Sequence, residues 1–200
     1  MTAEAEFRNA RHQQGAVGGY HLLQVLVGIR LRTVTDPESR RHLAWLSDVT
    51  AAMSMLNKRT TEAGPIDFGA YLQDTAEFWS RAGESRAVRI DLRAGSAPIP
   101  ESHALPMAII VHELVSNAVR HAFPDELRGF VAIACSQSSD GISLVVRDSG
   151  IGLDEMIPGD GLALVSGLVE HLNGFMSVET APGAGVGVRI RLPIGADLAH

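Results

Sequence analysis

The chain has 200 residues, 46% of them hydrophobic and 20% charged, with a formal net charge of −6. This composition suits a soluble globular protein of one large or two small domains, able to build a core without cross-links. A single cysteine, Cys135, excludes a disulfide framework and a cysteine-rich metal site. No apolar run approaches the roughly 18 residues that span a bilayer, and the acidic, polar N-terminus is unlike a secretory signal.

A cytoplasmic location is therefore expected. The charge is uneven. Residues 1–64 carry 8 Lys and Arg against 6 Asp and Glu, a net +2, while residues 65–200 carry 9 against 17, a net −8. An acidic main part argues against non-specific nucleic-acid binding.

Two helical stretches come first. Residues 9–33 place Val17, Tyr20, Leu23, Leu26 or Val27, and then Ile29 at the spacing of one helix face. Residues 37–62 do the same with Leu43, Leu46, Val49, Met53 and Leu56. Between them, Asp36 suits a helix cap and Pro37 a first helical turn. Two long amphipathic helices with a short connection predict an antiparallel hairpin. Such a hairpin buries its stripe best against a second copy, as a dimeric four-helix bundle. Gly64-Pro65 reads as a linker, dividing a dimerisation hairpin over 1–64 from a second domain over 65–200.

Beyond the linker, the pattern mixes helix and strand. Helices are predicted over Phe68–Arg81, Ser102–Ala122 and Gly161–Leu172, the last ended by Asn173-Gly174. Strands are predicted over Ala87–Leu92, Phe130–Ser136, Ile142–Arg147, Phe175–Glu179 and Val186–Leu192. Ser138-Ser139-Asp140-Gly141 and Ala181-Pro182-Gly183 form two of the turns. The class expected is α+β, a sandwich with helices on one face of a mixed sheet. Cys135 falls in an apolar strand and reads as a buried, inert thiol.

Three segments offer chemistry. On the helix over 102–122, Met107, Ile110, Leu114 and Ala118 form an apolar face, and Glu113, Asn117, Arg120 and His121 a polar one. Magnesium takes hard oxygen ligands and usually only one or two from protein. Asn117 could supply such an oxygen, Glu113 hold a water or act as base, and Arg120 or His121 face a phosphate. The same stripe could be an ordinary solvated helix face. Asp148-Ser149-Gly150-Ile151-Gly152 follows a strand, where glycines allow close backbone approach and the carboxylate could accept from an exocyclic amine. A plain strand-to-loop turn fits it equally well. Gly159-Asp160-Gly161-Leu162 opens a helix, whose free N–H groups favour phosphate.

Order and spacing make the three segments more specific together than apart. The run His112-Glu113-Leu114-Val115-Ser116-Asn117, ending in Arg120-His121-Ala122-Phe123, resembles the N box of the ATP-binding domain shared by histidine kinases, gyrase-type ATPases, Hsp90-like chaperones and MutL-like proteins. Asp148–Gly152 and Gly159–Leu164 look like its first and second glycine boxes, and Gly183–Pro193 resembles its closing segment. Ala104–Ile110 ahead of the N box, Pro124 after it and a short lid between Gly152 and Gly159 are similar to histidine kinases of the HWE and second HisKA subfamilies. The resemblance implies that Asn117 binds magnesium and that Glu113 assists phosphoryl transfer. It implies that Asp148 holds the adenine amino group of ATP, with Gly150, Gly152, Gly159, Gly161 and Leu162 shaping the pocket and lid. Arg120 and His121 would complete the nucleotide contacts. Ala163 departs from a second box that is usually richer in glycine.

The hairpin resembles the dimerisation and phosphoacceptor helices of the same kinases. Counting back from Thr33–Arg40, which is similar to their hairpin loop, Gln14 occupies the position of the phosphorylated histidine. Gly15-Ala16-Val17-Gly18-Gly19 follows, and each glycine in a helix costs about 1 kcal/mol relative to alanine. His12 lies about 200° around a regular helix from Gln14, and His21 lies on the same face but ~10 Å further along. The acceptor could be His12, His21 or neither. The resemblance implies a cytoplasmic, homodimeric histidine kinase-like protein that uses Mg-ATP and passes phosphate to a response-regulator receiver domain, with a separate protein as sensor. The alternative is a degenerate dimer that binds a receiver or relays phosphate without autokinase activity. A serine kinase of the anti-sigma type is a third reading, which the N-terminal hairpin disfavours.

Overall fold

The computed structural model describes residues 22–23, 25–57, 65–83, 88–125, 127–153 and 160–193. His12, Gln14, the triple glycine, His21 and Gly159 lie outside them, as does the lid over 154–159. The chain divides into two compact units, Met1–Gly64 and Pro65–His200.

In the first unit, residues 25–33 form helix α1 and Pro37–Asn57 form α2. The connection is set by the residues that suggested it. Asp36 Oδ2 accepts the Ser39 N–H at 2.7 Å, an N-cap that holds the Asp36 carboxyl below its ordinary value through hydrogen bonds from Ser39. Arg40 donates from Nη1 to the carbonyls of Leu31, at 2.6 Å, and Val34, at 3.1 Å. These charge-assisted bonds satisfy acceptors at the end of α1 that no helical N–H reaches. On α2, Val49, Ala52 and Leu56 are buried. Leu22, Leu23, Leu26, Ile29 and Leu46 are exposed. No helix among the described residues is long and apolar enough to cross a membrane.

The second unit runs β1 (Ile66–Asp67), α3 (Phe68–Gly83), β2 (Val88–Ala94), β3 (Pro98–Ile99), α4 (Glu101–His121), β4 (Gly129–Ser138), β5 (Gly141–Asp148), α5 (Asp160–His171), β6 (Phe175–Thr180) and β7 (Val186–Leu192). Five strands form one mixed sheet in the order β2-β4-β5-β7-β6, and β1 with β3 makes a two-stranded ribbon. Only β2 and β4 run parallel, and their connection contains α4, as parallel neighbours require a long crossover. The α+β sandwich expected from the sequence is the fold found.

One face of the sheet carries the core. Val131, Ile133 and Cys135 on β4, Ile142, Leu144 and Val146 on β5, and Val188, Ile190 and Leu192 on β7 are all buried. This is the period-two pattern of a sheet packed on one side. Burial pushes the Cys135 thiol up to about 11, so it stays protonated and unreactive. Three helices cover that face. Phe68, Tyr71, Leu72, Thr75, Ala76 and Trp79 form the buried stripe of α3. Helix α4 lies between α3 and α5 over β4 and β5, which is why it is buried on most of its sides.

Sequence periodicity did not reveal the small ribbon, because two-residue strands have no period to read. Ile66 pairs with Ile99. Asp67 ties the ribbon to the next helix. Its Oδ1 accepts from the Gly69 and Ala97 N–H groups, both at 3.0 Å, and its Oδ2 from the Ser96 hydroxyl at 3.0 Å. At the far end, α5 closes with Asn173 at φ 55°. Its N–H reaches the Glu170 carbonyl, and the Gly174 N–H reaches that of Val169. This is a Schellman motif on the dipeptide expected to stop the helix.

Candidate functional site

Half of the polar stripe on α4 is withdrawn from solvent. Glu113 is only 6% exposed, Asn117 is half-buried, and Arg120 and His121 are exposed at the C-terminal end of the helix. The buried pair faces the start of α5. A Cβ placed on Gly161 would lie 2.9 Å from Asn117 Nδ2 and 3.0 Å from Glu113 Oε2. Two segments more than 40 residues apart in sequence thus meet, so that a side chain at position 161 would have to push the ends of Asn117 and Glu113 aside. The N-terminal end of α5, the positive end of its dipole, lies beside the Glu113 carboxylate and the Asn117 side-chain amide. Leu162, on the next step of α5, is half-buried, and Ala163 is exposed.

Asp148 ends β5, with its side chain turned to the helix side and 4% exposed. Its Oδ1 accepts the Gly150 N–H at 2.8 Å and the Val186 N–H at 3.3 Å. Among the described residues both bonds end on Oδ1, so Oδ2 keeps the capacity to accept from a ligand. Burial raises the carboxyl above its ordinary value, and the Gly150 and Val186 N–H groups oppose that shift without cancelling it.

The loop after Asp148 is held on both sides. The Ser149 hydroxyl accepts the Phe130 N–H at 3.0 Å, and the Ile151 N–H reaches the Ala122 carbonyl just beyond α4. The Leu153 N–H donates to Thr180 Oγ1 at 2.9 Å, and that hydroxyl donates to the Gly185 carbonyl at 3.0 Å. Gly150 lies against Ala122, where a Cβ would approach the carbonyl oxygen to 2.2 Å. Gly152 has φ 66°, which only glycine adopts readily. The loop therefore arrives with its backbone fixed, not free to collapse onto a ligand.

Two residues of this framework were missed as site residues. Gly185 is buried with φ 73°, and a Cβ there would come within 2.1 Å of the Asp148 carbonyl oxygen and 2.9 Å of Asp148 Oδ1. Thr180 links the glycine loop to the β6–β7 turn. Their signal in the sequence is faint, since a glycine and a threonine around a hairpin turn have an ordinary turn explanation.

His112 is buried beside Trp79, with ring centroids 5.3 Å apart, so it belongs to the α3–α4 packing. Among the described residues, no group of three or more His, Cys, Asp or Glu could hold a metal ion. The oxygens of Glu113 and Asn117 fit a cation of a different kind, one that takes most of its ligands from phosphate and water.

Residues 103–196 match the model of the family described as histidine kinase-, DNA gyrase B- and HSP90-like ATPase. Blue-light-activated histidine kinase 2 of Erythrobacter litoralis is 27% identical over 187 residues, covering 87% of this chain and 54% of that protein. Sensor histidine kinase PdtaS of Mycobacterium tuberculosis is 31% identical over 121 residues, 57% of this chain and 24% of that protein. The chain thus spans about half or less of the length of these relatives. Among solved structures, the histidine kinase domain of the Erythrobacter litoralis EL346 blue-light-activated kinase superposes with a TM-score of 0.69 at 22% identity, over 87% of this chain and 96% of that one. The chain shares the fold of that solved domain.

Proposed function

We propose that this chain is the core of a protein histidine kinase that binds Mg-ATP in its second unit. The observation that carries the reading is the meeting of α4 and α5 at Asn117, Glu113 and Gly161, with Asp148 buried at the end of β5. In this reading the second oxygen of Asp148 accepts the adenine amino group. Gly150, Gly152 and Gly185 keep that carboxylate and its loop in place. Gly161 and Leu162 form the phosphate-side wall, with Gly159 assigned to it from the sequence alone. Asn117 supplies a ligand to magnesium, and Glu113 orients water or takes a proton from the nucleophile. Arg120 and His121, at the open end of α4, neutralise phosphate. When bound, the cation offsets charge on the phosphates, while the protein's part in phosphoryl transfer is positioning.

Residues 1–64 are the dimerisation unit of the proposal. The exposed apolar side chains of α1 and α2 favour pairing of the hairpin with a second copy. The partner for phosphate is a response-regulator receiver domain, with the input signal arriving from a separate sensor. His12 is the leading acceptor and His21 the second. The reading without autokinase activity is favoured by one observation, the Gln14 and triple glycine where an acceptor motif would stand.

Incubation with γ-labelled ATP separates the two. The kinase reading expects acid-labile, base-stable label that disappears in His12→Ala or His21→Ala. ATP binding with no label under any condition contradicts it and leaves the receiver-binding dimer.

A further inference from the structure

The side of the sheet away from the helices gathers an unusual share of the positive charge. Register across the five strands puts Arg89, Arg93, Arg147, Arg189 and Arg191 on this outer face. They are five of the nine basic residues in 65–200, and among the described residues only two acidic side chains, Asp91 and Glu179, share the face. All five arginines are exposed. Arg89 is occupied by a bidentate pair with Asp91, at 2.7 and 2.8 Å. It is the only one of the five with an ion pair among the described residues.

The floor between the arginines is low and apolar. Ala132, Ala134, Val145 and Gly187 occupy it, with Phe130 at one side and Phe175, 68% exposed, at the other. Two depressions follow, of about 500 Å³ beside Arg93 and Phe130 and about 290 Å³ beside Arg147 and Arg189. Both open on this outer face, not between α4 and α5.

We propose that the outer sheet face is a docking surface for an acidic polypeptide, a partner protein presenting carboxylates around apolar side chains. Charge complementarity carries the argument. An acidic domain that concentrates its arginines on one face directs that face at negative charge. Arginine and aromatic side chains over a small-residue floor are the composition of a protein–protein contact, with the guanidinium forks suited to carboxylates. Residues 1–64 are net basic and do not offer the opposite sign. Nucleic acid fits less well, since the net charge of the face is only +3 and the domain around it is acidic. The Asp148 side chain turns to the opposite side of the sheet, while Asp148 and Ser149 also line the edge of the larger depression.

The test uses the full chain and a fluorescein-labelled peptide of glutamate, leucine and tyrosine, followed by anisotropy at low and high salt. The wild type should bind, more weakly as salt rises. The Arg189→Glu, Arg191→Glu double variant should lose at least about tenfold in affinity. The milder Arg189→Gln, Arg191→Gln pair should lose part of that and keep the same melting temperature, because both side chains lie in solvent. ATP-induced thermal stabilisation should persist in both, which separates this claim from the nucleotide site. Absence of salt-sensitive binding would overturn the proposal, as would equal affinity in the charge-reversed variant. Stronger binding of a single-stranded oligonucleotide, or concentration-dependent self-association that charge reversal dissolves, would overturn it in favour of nucleic acid or a second copy.

Discussion

Asp148 is held by backbone N–H groups on one oxygen and by desolvation on the whole carboxyl, and the two act in opposite directions. Burial wins. A carboxyl whose folded value is raised favours the fold below its unfolded pKa and penalises it as pH rises through the folded pKa. Asp148→Asn keeps an acceptor for Gly150 and Val186 while removing the charge. The variant should melt at or above the wild type at neutral pH without nucleotide, and the difference should shrink as pH falls through the folded value. A melt series across pH checks this, and a variant markedly less stable at neutral pH contradicts it.

Gly185 supports the same carboxylate from behind. Gly185→Ala must place a methyl against the Asp148 carbonyl at a positive φ, at a cost of about 2–4 kcal/mol in urea unfolding. Asp148 and Asn117 were singled out in the sequence because residue type and spacing carried them. The burial of Glu113 and the need for glycine at 185 were not, since both depend on neighbours distant in sequence.

Among elements, the ribbon and the α4–α5 contact differ in what they demand. Asp67 caps α3 and fixes the segment before β3. Its carboxyl loses solvation on burial, but hydrogen bonds from Ala97, Ser96, Ala70 and Gly69 together outweigh that and hold it below its ordinary value. Its contribution is therefore present above the unfolded pKa and lost as pH falls through the folded one. Asp67→Ala should cost about 1–2 kcal/mol at neutral pH and little in strong acid, by equilibrium unfolding at both.

Gly161→Ala makes a different demand. The added methyl meets only the ends of the Asn117 and Glu113 side chains, which can swing away. The fold should survive with nearly unchanged melting, while ATP affinity falls by about tenfold, a loss near 1.4 kcal/mol. The boundaries of α4 and β7 could be read to within a residue, because both have strong periodicity and clear stops. The ribbon could not, and neither could the packing of α5 on α4, since periodicity marks an apolar face without naming what it meets.

For the whole molecule, strand order decides which residues share a surface. Arg89 and Arg93, or Arg189 and Arg191, are visible as alternating pairs in the sequence. Their union into one basic face exists only in the β2-β4-β5-β7-β6 arrangement. The proposed nucleotide site lies on the other side of the same sheet, where α4, the end of β5 and the start of α5 meet, and it is the centre of this account. Isothermal titration of the full chain with Mg and a non-hydrolysable ATP analogue tests it most directly. The account predicts one site per chain in the wild type, lost in both Asn117→Ala and Asp148→Asn while each variant keeps its cooperative unfolding. Binding of undiminished affinity in both variants would contradict it.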